Sequence, residues 1–293
     1  MAQNVVRTAD PIKRGFQLSD FPRTVKVTNN VYTYEDFHAG AEKFTTTNMI
    51  VITRDGVLLC DAQGNPEATR KEVEAIGKLT SQPIKYVVIA SDHGDHTGGN
   101  QSLPPGVTFF IHPNSKEILE REEAHAKPGA WKLPADAQLV TDKKILHMGG
   151  EEIQILFLGR AHTGGDLSVY LPREKILFLS ETFLNHVFPA MRSAYPSEWL
   201  KALDRAEKMD VKIYIAGHGF TEKGPESKEE LHAYHQALKA VVDEATRLHN
   251  AGVPVDEAVK QANWGEYATW TLASSQGPIA VRRVYAELDG KLK

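Results

Sequence analysis

The chain has 293 residues, 41% hydrophobic and 25% charged, an ordinary globular composition long enough to bury a sizeable core. A formal net charge of −4 leaves no basic footprint and argues against nucleic acid as a partner. The single cysteine, Cys60, excludes an internal disulfide framework and a thiolate metal cage.

Residues 1–22 carry Arg7, Lys13 and Arg14 with no apolar segment behind them, and no run of ~18 apolar residues occurs anywhere. No membrane association is expected. The expected compartment is the cytoplasm, unless a signal peptide was removed ahead of this numbering.

Residues Val25 to Tyr34 alternate around Asn29-Asn30. Met49 to Thr53 and Val57 to Leu59 flank an Asp-Gly turn, the pattern of a hairpin, and Cys60 falls on its apolar face as a small buried hydrophobe. Pro66 opens a helix to about Leu79, with Val73, Ile76 and Leu79 on one face. The runs Ile84 to Ala90 and Thr108 to Ile111 read as buried strands. A charged helix, Asn114 to about Ala126, and a Pro/Gly-bearing loop, Lys127 to Ala135, follow.

The second half repeats this character. Short strands are expected at Lys144 to His147, Ile153 to Leu158, Leu167 to Leu171 and Ile176 to Leu179. Next come a helix from Pro196 to Met209 and a last strand from Val211 to Ala216. Beyond them the pattern is helical: Ser227 to His249, Val255 to Ala262 and Pro278 to Leu292. The expected organisation is an α/β (α+β) domain over residues 1–225, two sheets with helices outside, and a C-terminal helical extension over 226–293 packed on it.

Chemistry concentrates in Ser91-Asp92-His93-Gly94-Asp95-His96, at the C-terminal end of the strand that ends at Ala90. Two imidazoles and two carboxylates within five residues are what a metal asks for, not a hydrophobic core. Three more candidate ligands, His162, Glu181 and His218, each follow an apolar strand, where loops collect functional groups.

This ordered set resembles the metallo-β-lactamase superfamily, whose signature is His-x-His-x-Asp-His followed by a His, a bridging Asp and a final His. Two positions depart from it: Ser91 stands at the first His and Glu181 at the bridging Asp. The resemblance covers about Val25 to Phe220 and implies a four-layer αββα sandwich with the metal site at one edge of the sheets. It makes His93, Asp95, His96, His162, Glu181 and His218 the metal ligands and Asp61 an acidic group behind them. With the first His gone, one strong zinc is expected at Asp95, His96 and His218 and a weaker second one at His93 and His162; iron or manganese also suits these donors.

The implied activity is hydrolysis of a small molecule by metal-bound hydroxide. Asp95 ligates and orients, His93 and His162 serve as base when only one metal binds, and Ser91 binds water or substrate. A lactam, lactone, ester, thioester or activated carbon–halogen bond fits equally. Two rivals stand beside this: an iron-dependent oxygenase of the same fold, and a non-catalytic binding protein with a decayed site. His186, Phe188, Arg192 and Tyr195 follow Glu181 and are expected at the pocket mouth, Arg192 facing an anionic group; core packing competes for Phe188 and Tyr195. His112 is expected to be structural, and His232 and His235 to lie on the surface. Trp264, Tyr267 and Trp270 suggest core packing, a cap on the site, or a homodimer contact through the tail.

Overall fold

The computed structural model describes residues 6–38, 43–126 and 130–292. Its first sheet takes β1 (Arg23–Lys26), β2 (Val31–Phe37), β3 (Thr45–Thr53), β4 (Gly56–Cys60), β5 (Ile84–Ile89), β6 (Thr108–Ile111) and β7 (Gln138–Leu139). They lie side by side in that order, with β4 to β7 parallel. The second sheet runs β8 (Lys143–Met148), β9 (Glu151–Phe157), β10 (Leu167–Leu171), β11 (Ile176–Leu184), β12 (Ile213–His218). One residue pair, Thr46 with His218, joins β3 to β12 and so one sheet to the other.

The strands alternate at period two, and both faces are buried. Met49 and Val51 of β3, Leu58 and Cys60 of β4, and Ile176 and Phe178 of β11 meet in the layer between the sheets. Their neighbours turn outward: Ile50, Leu59 and Ile89 pack under helices α1 (Pro66–Leu79) and α3 (Pro113–Glu123). Between β5 and β6 a single turn, α2 (Gly94–Thr97), is inserted. Leu177, Leu179 and Tyr214 pack under α4 (Pro196–Glu207), α5 (Pro225–Asn250) and α7 (Ala273–Leu288), with α6 (Val255–Gln261) wedged beside α5 and α7. Each such side chain contributes about 1.5–3 kcal/mol by leaving water. The result is the four-layer αββα sandwich.

Helix α1 begins where the sequence places it: the Asn65 side chain accepts the Ala68 amide, and Pro66 fills the first turn, where no partner for its missing N–H is needed. Its inward face differs from expectation. Leu79 is 37% exposed, while Glu72 is buried and accepts from the Asn48 amide. Helix α7 starts five residues before Pro278, which lies inside it and gives up the backbone hydrogen bond its position would make to the Ser274 carbonyl. His235 is buried, not on the surface, held by Glu207 at 3.1 Å. Cys60 is buried as expected, and burial pushes its thiol well up. Among the described residues, no helix is long and apolar enough to cross a membrane.

Candidate metal centre

Two parallel strand pairs aim their C-terminal ends at one edge of the sandwich, the place where open α/β sheets collect ligands. From the first sheet, β4 delivers Asp61 and β5 delivers Ser91 and the turn of α2. From the second come Glu181 on β11 and His218 at the end of β12, while the loop after β9 brings His162. Glu181 and His218 therefore sit within strands, not past them. β11 continues through Glu181 to Leu184 because its register against β12 slips on either side of Ser180, whose φ is +45°. That irregularity turns Glu181 toward the edge. Gly217 makes the fit possible: a Cβ there would stand 2.6 Å from the Ser180 carbonyl carbon.

Two groups of ligand atoms result, sharing one carboxylate. Asp95, His96, Glu181 and His218 form the first, and His93, His162 and Glu181 the second. His218 Nε2 lies 3.2 Å from Asp95 Oδ2 and 3.3 Å from Glu181 Oε1. On the other side, His93 Nδ1 lies 3.0 Å from Glu181 Oε2, and His162 Nε2 3.1 Å from Glu181 Oε1.

The ligands are aimed from behind. Asp61 Oδ2 takes His96 Nδ1 at 3.1 Å and the Ser180 hydroxyl at 2.6 Å, while its Oδ1 accepts the Ala90 and Ser91 amides. His218 Nδ1 faces the Thr45 carbonyl at 2.9 Å. This leaves His96 Nε2 buried with no hydrogen-bond partner, facing the cluster. A buried nitrogen with its lone pair unclaimed costs free energy unless something coordinates it, so the donor set fits a cation.

The Ser91 hydroxyl donates to Glu181 Oε2 at 2.5 Å; Ser91 is fully buried and does not line the cleft.

Electrostatics follow from six acids and bases in one buried volume. Burial opposes charging His218, but hydrogen bonds to Asp95 and Glu181 win and raise it to about 10. Burial also opposes charge on His93, and the Glu181 carboxylate outweighs it, giving about 9. The partners shift the other way. Burial is again overcome, and Asp95 beside His96, and Glu181 beside His162 and His93, fall well below the usual carboxylate range.

The cleft above the cluster has a volume of about 200 Å³. Of the four residues expected at its mouth, Arg192 lines it. Phe188 is fully buried against Trp264. His186 points to Glu230 at 2.6 Å and Trp270, and Tyr195 lies under Arg160. None of these three lines the cleft, because the loop after β11 folds back against the helical tail, where Val187 pairs with Thr271.

Sequence reasoning missed His38, while Ser193 falls in the stretch Arg192 to Tyr195 expected at the pocket mouth. His38 lines the cleft, with Nδ1 3.4 Å from Asp95 and its ring stacked on Phe44. The Ser193 hydroxyl lies 3.4 Å from His93 Nε2. A histidine just after the strand ending at Phe37 was a findable signal.

Comparison with known proteins agrees with this architecture. A family model described as the metallo-beta-lactamase superfamily matches residues 43–218, more than half of the chain. The alpha subunit of a 2,4-dinitroanisole O-demethylase from Nocardioides sp. (strain JS1661) is 23% identical over 204 residues, covering 69% of this chain and 60% of that subunit. Among solved structures, a metallo-beta-lactamase from Pontibacter korlensis covers 73% of this chain and 98% of its own at TM-score 0.64 and 21% identity. The stereoselective inverting sec-alkylsulfatase Pisa1 from Pseudomonas sp. covers 94% of this chain and 51% of its own at TM-score 0.72 and 15% identity. The chain belongs to the metallo-beta-lactamase superfamily.

Proposed function

We propose that this chain is a metal-dependent hydrolase of a small molecule, with zinc held by Asp95, His96, Glu181 and His218 and a weaker site at His93, His162 and Glu181. The observation that carries this reading is the pair of ligand clusters sharing Glu181 beneath one cleft. The second cluster is weaker because Ser91 stands where a third imidazole would be needed and spends its hydroxyl on Glu181.

When bound, a divalent cation supplies Lewis acidity and brings the pKa of a water near 7. The chain's own residues supply orientation. Asp61 fixes His96 in one tautomer, Thr45 does the same for His218, and Ser91 holds Glu181. His93 lines the cleft with its Nδ1 3.0 Å from Glu181 Oε2, and is the imidazole placed to hold a proton when the second site is empty. The relatives named above act on an O-methyl ether, a β-lactam and an alkyl sulfate, so family membership supports the reaction type and leaves the bond open.

The test is metal quantification on protein purified without chelators, with a panel of lactam, lactone, ester, thioester and haloarene substrates. We expect about one tightly held zinc per chain and turnover of one member, with His218→Ala losing more than about 100-fold. Full turnover by His218→Ala would overturn the reading, and iron with a visible absorption band would shift it to the oxygenase. The aromatic residues that prompted a homodimer face inward, Trp264 on Phe188 and Trp270 on Tyr234; light scattering decides the assembly.

A further inference from the structure

The cleft is walled mostly by apolar groups and has one cation at its rim. Phe44, Leu184 and Val187 are buried walls, and Leu272 and Ile279 come from the helical tail, outside the stretch the family model matches. The tail wall is fixed in place. The Phe188 amide donates to the Thr271 carbonyl at 2.8 Å, the Thr271 amide to His186 at 3.3 Å, and Leu272 then takes a left-handed φ of +70°. A branched residue adopts that conformation only where its surroundings hold it.

Arg192 is the rim cation. Its backbone is pinned beside the cluster, since the next residue, Ser193, reaches His93. Its side chain is exposed, and no ion pair found among the described residues involves it. The tail adds a polar group to the cleft lining, Gln276, a neutral donor and acceptor on α7. A forked cation with no ion-pair partner among the described residues, beside an apolar wall, matches a planar oxyanion on a compact apolar body. The volume of about 200 Å³ lies below the usual span of drug-sized ligand pockets, about 300–1,000 Å³, and so favours a ligand of roughly one substituted ring or a short branched chain.

We propose that the substrate is a small apolar acid, whose body lies between Phe44, Val187 and Leu272 and whose anionic oxygen group is held at the rim by Arg192 with Gln276 beside it. This rests on the hydrolase reading for the word substrate, but the binding claim stands on the cleft alone.

The experiment compares benzoate with its neutral isostere benzamide as probes of the zinc-loaded protein, by titration calorimetry, in wild type and Arg192→Gln. Charge-assisted hydrogen bonds contribute about 1.5–3 kcal/mol, so wild type should prefer benzoate by about tenfold or more. Arg192→Gln should erase that preference, leave benzamide within about twofold and leave zinc content unchanged. Leu272→Trp, which fills the wall, should weaken both probes. Equal affinity for the two probes in wild type, or binding of neither, overturns the proposal. A benzoate preference that survives Arg192→Gln also overturns it, because the metal would then be holding the carboxylate. Tight Arg192-dependent binding in a protein that hydrolyses nothing would sink the hydrolase reading and spare this one.

Discussion

Asp61 shows how much one side chain can organise. Its two oxygens serve four donors, from Ala90, Ser91, His96 and Ser180, and its own backbone sits at a φ of +63° to reach them. Asp61→Ala should lower zinc affinity by about 10–100-fold, measured by chelator competition, although Asp61 is not in either ligand group. Unchanged affinity would show that His96 needs no support. The histidines make a second expectation. In the metal-free protein His93 and His218 hold protons up to about 9 and about 10, and a metal takes only the neutral imidazole. Binding must therefore release protons, and apparent affinity should climb with pH through neutrality until those values are passed. Calorimetry in buffers of different ionisation enthalpy checks the sign; flat affinity from pH 6 to 9 would contradict it.

At the scale of strands and helices, legibility followed locality. His93, Asp95 and His96 were readable because three ligand types crowd one turn after a buried strand. Glu181 was readable as a residue but not as a position. Apolar periodicity stops at Leu179, and nothing in Ser180-Glu181-Thr182 announces that the strand kinks and continues. The slip is tertiary, enforced by β12 lying against it through Gly217. Gly217→Ala should therefore cost about 1–3 kcal/mol in urea unfolding. It should also loosen zinc, because the neighbour that must yield is the backbone carrying Glu181. Stability within error of wild type would mean the contact relaxes freely.

For the molecule as a whole, the sandwich was legible and the cleft was not. The two strand-rich halves with helices between them point to layered sheets, and sequence patterning carries that far. Leu272, Gln276 and Ile279 lie more than fifty residues beyond His218, at the start of α7 and on it, where the inward face looks like any core, so nothing local tells that they wall a site. Trp199 belongs to the same packing: it is fully buried on α4, with its indole N–H on the Thr182 carbonyl at 2.9 Å. Trp199→Ala should cost about 3–5 kcal/mol by denaturant unfolding, far more than a surface change.

The lone Thr46–His218 pairing between the sheets has a thermal meaning. A cation gripping His96 on one side and His218 on the other would clasp the halves where backbone pairing is sparsest. Stripping zinc with a chelator should then lower the melting temperature and speed amide exchange along that seam, while the outer edges at β1 and β8 exchange as before.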